Sequence, residues 1–180
     1  MTSSWSLLAL DLDGTLLGPE GRVSPANREA IDQLRTAGIC HLVATGRCWN
    51  ETMDILEPLG YKGPLIGAGG AIMTDFETGC TMHRVTIDAS TVEQVVCHIT
   101  SSGHVAHVLK DHDATGYDYL FVGQNELHPV STWWLESMNI SSQRVERLED
   151  DPDPDHTIRV GGIGEGKEIS GTTRRIEEDR

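Results

Sequence analysis

Asp11 and Asp13 interrupt a run of leucines in the stretch LLALDLDGTLL at Leu7–Leu17. An unpaired buried carboxylate is far costlier than a buried leucine. Two of them, followed at once by Gly14 and Thr15, mark a place where the chain leaves an apolar core and can do chemistry. Such a pair can bind a hard cation such as Mg²⁺, which keeps several waters and bridges to a phosphate. One carboxylate can attack a phosphoryl group to give an aspartyl-phosphate. The other, two residues on, can protonate the leaving oxygen and later activate water. A second cluster, Thr45-Gly46-Arg47, offers a hydroxyl and a backbone N–H to phosphate oxygens, with Arg47 supplying fixed positive charge.

These residues can meet if each stands at the carboxyl end of a strand in an open parallel sheet, where ligands bind. Trp5 to Leu10 is a nearly continuous apolar run, the signature of a strand covered on both faces. SPANREAIDQLRTAG reads as a helix, with Ser24 as N-cap, Pro25 in the first turn and Gly38 as the stop. Its Ala26, Ala30, Ile31, Leu34 and Ala37 share one face, which predicts a helix lying on the sheet. ICHLVAT is a second strand and GPLIGAGG a third. Between them, NETMDILEPLG is a helix with Met53, Leu56 and Leu59 inward and an end frayed by Pro58. This rhythm predicts a Rossmann-like, doubly wound parallel α/β sheet.

The pattern changes after Gly70. AIMTD and CTMHRV flank a Phe-Glu-Thr-Gly turn and read as a hairpin. DASTVEQVVCHITSSG is a helix capped by Asp88, with Val92, Val95, Val96 and Ile99 on one face. HVAHVL and YDYLFV are strands, STWWLESM a short amphipathic helix and HTIRVGGIG a last strand. The acidic, proline-broken EDDPDPDH reads as a solvated surface turn. Residues 1–84 are therefore expected to form one part of the chain, and residues 85–180 an α+β unit inserted after the third strand.

The 180 residues are 38% hydrophobic and 23% charged, as in a folded domain rather than a disordered one. A net charge of −14 argues against a nucleic-acid partner, which calls for a basic stripe. No segment approaches the roughly 20 apolar residues of a membrane helix, so no membrane partner is expected. MTSSWSLLAL has no basic leader and too short an apolar run for a signal peptide. Cys40, Cys48, Cys80 and Cys97 are scattered without a C-x-x-C pair, and are expected to be reduced, mostly buried thiols of a cytoplasmic protein.

DLDGTLL, with VATGR at Val43–Arg47, resembles the haloacid dehalogenase superfamily of phosphatases. IGAGGA, a hairpin and then an α+β insertion are similar to its Cof-type branch, which carries a large α/β cap. The resemblance implies that Asp11 is the nucleophile and Asp13 the general acid/base. Mg²⁺ would be held by the Asp11 carboxylate and the Asp13 carbonyl. Leu12, Gly14, Thr15, Thr45, Gly46 and Arg47 would surround the phosphate. The reaction implied is hydrolysis of a small phosphomonoester, such as a sugar phosphate.

Two departures stand out. The branch commonly has Asn-Gly-Ala after its third strand, where this chain has Gly69-Gly70-Ala71. The family also continues past the cap with a lysine and an acidic Gly-Asp loop, and no such segment follows HTIRVGG. The N-terminal strand would then lie at an unpaired apolar edge, open to self-association. A non-catalytic, phosphate-binding module is the alternative reading.

Rival motifs fare less well. A Ca²⁺ loop beginning at Asp11 needs Gly at its sixth position and Glu at its twelfth, where Leu16 and Arg22 stand. Gly161 to Lys167 matches part of a phosphate-binding P-loop, but Glu168 replaces the Ser/Thr that would ligate Mg²⁺. His104 and His107, three apart on an expected strand, point to opposite faces, which is poor ligand geometry.

Overall fold

Ser24 accepts a hydrogen bond from the Asn27 backbone N–H at 3.1 Å, and Pro25 occupies the first turn, so helix α1 (Pro25–Thr36) starts at its capping signal. The computed structural model describes residues 6–138 and 140–165, which fall into two units dividing between His83 and Arg84.

In the first unit, strands β1 (Leu7–Leu10), β2 (Cys40–Ala44) and β3 (Pro64–Gly67) run parallel, β1 beside β2 and β2 beside β3. Strand β4 (Ile72–Asp75) turns back antiparallel to β3, and β5 (Thr81–Arg84) completes the order β1-β2-β3-β4-β5. Helix α2 (Met53–Leu56) is a single turn flanked by 3₁₀ turns at Asn50–Thr52 and Glu57–Leu59, with Pro58 breaking the regular ladder. Leu56 and Leu59 join Ile31, Val43 and Leu65 in the core. Tyr61 fastens β2 to the start of β3: its hydroxyl accepts the Val43 N–H at 3.0 Å and donates to the Pro64 carbonyl at 2.6 Å. Burial pushes this phenol up to about 12, so it remains a donor throughout the physiological range.

The expected two-sided coverage of the first strand is not what the fold provides. Strand β1 ends the described sheet, and Leu7 and Leu8 are 54% and 39% exposed. The predicted inner face of α1 is also largely uncovered: Ile31 is buried, Leu34 is half-buried, and Ala26, Ala30 and Ala37 are exposed. Between β1 and α1 runs an apolar groove lined by Leu8, Leu10, Leu16, Leu34 and Ile39. Parallel strands are ordinarily flanked on both edges and covered on both faces; among the described residues β1 is flanked by β2 alone and only its last residue, Leu10, packs against the core.

The second unit is a four-stranded sheet in the order β8-β7-β6-β9: β6 (Ala106–Lys110), β7 (Tyr119–Val122), β8 (Ser142–Val145) and β9 (Thr157–Gly162). Strand β6 pairs antiparallel with β7 and β9, whereas β7 pairs parallel with β8. Helix α3 (Ala89–Ser101), capped by Asp88, packs Val92, Val96 and Ile99 against Ala106, Val108 and Leu120. The short helix α4 (His112–Thr115) precedes β7, and α5 (Pro129–Ser137) follows it. His107, on the opposite face of β6 from Ala106 and Val108, approaches Ser131 Oγ of α5 at 3.3 Å and stacks on Trp134. Trp133 is exposed.

EDDPDPDH is not wholly solvated. Lys110 Nζ, fully buried, donates to Asp151 at 2.5 Å, to the Asp153 carbonyl at 2.9 Å and to Thr157 Oγ1 at 3.0 Å. Tyr117 donates its hydroxyl to Asp153 at 3.0 Å. A buried ammonium has to be paired, and that requirement draws Asp151 and Asp153 inward. Asp111 is likewise buried and pairs with Arg84. Asp118 accepts both the Ser141 N–H and its hydroxyl.

The cysteines depart from expectation too. Only Cys48 is buried; Cys40, Cys80 and Cys97 are exposed, and all four are free thiols. No helix among the described residues is long and apolar enough to cross a membrane.

Burial, with Arg159 nearby, lowers the His107 imidazole from 6.5 to about 4. The unfolded ring binds its proton near the ordinary value, so between about 6.5 and about 4 the unfolded state holds more protons than the folded one. Stability therefore falls as pH drops through that window. His107→Gln should flatten the pH dependence of the urea midpoint there, and midpoints for wild type and variant that run parallel would remove His107 as its source.

Candidate active site

Beyond β1 the chain turns tightly. Leu16 and Leu17 donate backbone N–H groups to the carbonyls of Asp11 and Leu12, at 3.2 and 2.8 Å. Gly14 takes the left-handed backbone the turn needs, with φ +79°. Leu12, Leu16 and Leu17 plug into the core, which leaves Asp11, Asp13, Gly14 and Thr15 exposed on the outer side. The alternation accounts for two aspartates in an apolar run: each flanks the fully buried Leu12 and is itself exposed. Leu12 can thus offer a ligand only its backbone. Thr15 donates its hydroxyl to Asp11 at 3.2 Å, and Asn27 of α1 anchors the turn by donating to the Leu16 carbonyl at 2.9 Å.

The second strand-end loop follows β2. Thr45 is buried and donates its N–H to the Ile66 carbonyl at 2.8 Å, while its own carbonyl accepts the Gly69 N–H at 3.0 Å. Thr45 Oγ1 accepts the Arg47 N–H at 3.3 Å, and the Arg47 carbonyl accepts the Ala68 N–H at 2.9 Å. A Cβ at Gly67 would lie 3.0 Å from the Arg47 carbonyl oxygen, a tight approach that favours glycine there. These bonds fix the Arg47 backbone. Its guanidinium then reaches back to the first loop: Nε donates to Asp13 Oδ2 at 2.9 Å and Nη2 to Oδ1 at 2.7 Å. This is a two-pronged fork, the geometry in which Arg grips a carboxylate or a phosphate.

The fork sets the protonation of the site. The Arg47 hydrogen bonds and charge, opposed by partial burial, hold the Asp13 carboxyl below the usual carboxylate range. Asp13 is therefore a carboxylate in this arrangement, able to accept a proton and unable to donate one.

The third loop follows β3. Ala68 and Gly69 both have positive φ, 52° and 69°. Gly69 stands where the resembling branch has Asn, and it adopts the left-handed shape that Asn and Gly tolerate. The departure removes a side chain and leaves a residue that this left-handed turn accepts.

Among the described residues no three His, Cys, Asp or Glu side chains gather as a metal site. Asp11 presents an exposed carboxylate and Asp13 is committed to Arg47. One carboxylate and one backbone carbonyl fit the protein's share of a Mg²⁺ shell, whose other positions water and phosphate fill. The P-loop reading fails, since Gly161 and Gly162 are extended in β9, paired with His107 and Ala106. Lys167 lies outside the described residues.

Two residues of the second loop escaped the sequence reading. Trp49 donates Nε1–H to the Phe76 carbonyl at 3.0 Å, tying the loop to the hairpin turn. Glu51 is buried and accepts the Cys48 N–H at 2.6 Å. Trp49 falls between the VATGR motif and the stretch read as a helix, Glu51 falls within that stretch, and a buried Glu looks in sequence like a solvated one.

With its fork removed, Asp13 should titrate closer to the ordinary range. In an Arg47→Ala variant, ¹³C NMR of the metal-free protein is expected to show the Asp13 carboxyl pKa raised above wild type. An unchanged value would mean that Arg47 does not govern it.

A family model described as haloacid dehalogenase-like hydrolase matches residues 8–169. The chain is similar to the phosphatase YwpJ of Bacillus subtilis, 39% identical over 102 residues, covering 57% of this chain and 35% of that protein. It is also similar to the 5-amino-6-(5-phospho-D-ribitylamino)uracil phosphatase YwtE of the same organism, 33% identical over 125 residues, covering 67% and 40%. Among solved structures, a haloacid dehalogenase-like hydrolase from B. subtilis matches with a TM-score of 0.74 at 25% identity, over 96% of this chain and 66% of that one. The chain thus spans well under half the length of these curated relatives. With the family model covering nearly all of its length, the chain belongs to the haloacid dehalogenase-like hydrolases.

Proposed function

We propose that this chain carries the nucleophile and phosphate-gripping loops of a phosphatase acting on a small phosphomonoester, such as a sugar phosphate. The observation that carries the reading is the juxtaposition of two strand-end loops, DLDGT and TGR, joined by the Asp13–Arg47 fork with the Asp11 carboxylate exposed beside it. Relatives named as phosphatases, one of them of 5-amino-6-(5-phospho-D-ribitylamino)uracil, support it. In this reading residues 1–84 supply the chemistry and residues 85–180 form the cap that selects the substrate.

Asp11 attacks phosphorus: a bond forms from its carboxylate oxygen as the bond from phosphorus to the alcohol oxygen breaks. Asp13 gives its proton to the leaving oxygen, then takes one from the water that attacks the aspartyl-phosphate, and inorganic phosphate departs. The fork imposes an order on these steps. While Arg47 grips Asp13, that carboxylate has no proton to give. An incoming phosphate competes for the same two-pronged guanidinium; once Arg47 turns to it, the pairing that holds the Asp13 carboxyl low is released and the negative charge of the phosphate favours its protonation. Mg²⁺, when bound by the Asp11 carboxylate and the Asp13 carbonyl, supplies positive charge against the phosphoryl oxygens.

The second reading is a module that binds phosphate without turnover, favoured by the depressed Asp13 carboxyl. Beryllium fluoride with Mg²⁺ mimics a phosphorylated aspartate. Wild type and Asp13→Asn are expected to bind it, detected by ¹⁹F NMR, and Asp11→Ala is not. Equal binding by wild type and Asp11→Ala would dismiss Asp11 as nucleophile. If binding holds but p-nitrophenyl phosphate is not turned over, the module reading stands.

Among the described residues no strand pairs with the outer edge of β1, where Leu7 and Leu8 are exposed; such edges pair with other strands, so we also propose that the chain self-associates. Light scattering should find the purified chain larger than a monomer, with Leu8→Lys shifting it toward monomer. A wild-type monomer across the micromolar range would refute this.

A further inference from the structure

We infer that Glu51 is a positioning residue for Arg47, holding the turn after β2 so that the guanidinium stays within reach of Asp13 and of a bound phosphate. The inference rests on the reading of Arg47 as a phosphate ligand. Glu51 is only 8% exposed, an unusual place for a glutamate. Its carboxylate accepts the Cys48 N–H at 2.6 Å, across the turn that carries Arg47, and its backbone carbonyl accepts Arg47 Nη1 at 3.4 Å. One residue therefore touches the arginine's neighbour through its side chain and the arginine's own tip through its backbone. Thr45 and Ala68 fasten the Arg47 main chain from the other side.

A buried carboxylate persists only where it is paired. What holds the turn is an acceptor oxygen of this reach at the Cys48 N–H, which a glutamine of the same length would also supply. The charge of Glu51 lies near the Arg47 guanidinium and adds secondarily to what keeps it protonated. Arg47 must exchange Asp13 for phosphate without losing its place, and Glu51 supplies the fixed base on which it pivots.

Three substitutions separate positioning from general stability. Glu51→Gln keeps a side-chain acceptor of the same length. Glu51→Asp keeps the charge but falls one methylene short of the Cys48 N–H. Glu51→Ala removes both. The first readout is the ¹H–¹⁵N Nε–Hε resonance of Arg47, assigned by its loss in Arg47→Ala; the second is the affinity for inorganic phosphate with Mg²⁺ by calorimetry. The Gln variant should keep the wild-type resonance position. The Asp and Ala variants should move it into the solvent-exposed envelope and weaken phosphate binding roughly tenfold, the scale of one hydrogen bond to a charged group. Combining Arg47→Ala with Glu51→Asp should weaken it no further than Arg47→Ala alone.

An Arg47 resonance unmoved in Glu51→Asp overturns the inference, and that comparison remains available if the Ala variant does not fold. If the resonance moves as expected while wild type binds no phosphate, Glu51 positions Arg47 and the phosphatase reading is what fails.

Discussion

The fork between Arg47 and Asp13 joins the two loops on which the candidate site depends. Its contribution to stability is small, since Asp13 is 57% exposed and such pairs are typically worth about 0–1 kcal/mol. Its importance is geometric and electrostatic. It ties two strand ends together across the parallel pair β1–β2, and it holds the carboxyl of Asp13, one of two neighbouring aspartates, below the usual carboxylate range. The other, Asp11, shares its oxygen only with the Thr15 hydroxyl among its described side-chain partners. Two aspartates of the same type, two residues apart, thereby acquire different chemical characters from what faces each of them.

That division requires a rigid support, and the support is apolar. Leu12, fully buried between the aspartates, fixes the direction of both. Behind it, Val43, Leu65 and Leu56 form a continuous core, and Tyr61 satisfies backbone groups of Val43 in β2 and of Pro64 at the start of β3. The outer strand lacks the same protection. The apolar groove beside α1 and the exposed leucines of β1 belong to a sheet whose relatives have longer chains.

The second unit relies on buried charge where the first relies on leucine. Lys110 with Asp151, and Asp111 with Arg84, place ion pairs at the end of β6. Pairs of this kind are weak evidence of stability, yet breaking one strands its partner in the interior. Specificity of loop placement is their clearest effect: the acidic segment before β9 is held at Asp151 and Asp153, while Glu149 and Asp150 remain in water.

By itself the sequence determined the strand–helix rhythm, the caps at Ser24 and Asp88, the break at Pro58, and the exit of two aspartates from an apolar run. Those features are local, set by hydrogen bonds and side-chain periodicity within a few residues, so they can be read a few residues at a time. Family membership was legible for the same reason, in DLDGT and VATGR. Only the tertiary structure decided that Arg47 grips Asp13 across 34 residues and that Lys110 draws in Asp151 across 41. It also decided that the half-polar segment Ser142–Val145 is a strand and that Glu51 is buried. A charge chooses its partner from whatever the fold brings within about 3–4 Å, and a strand its neighbour by register. Neither choice is written in the spacing of residues along the chain.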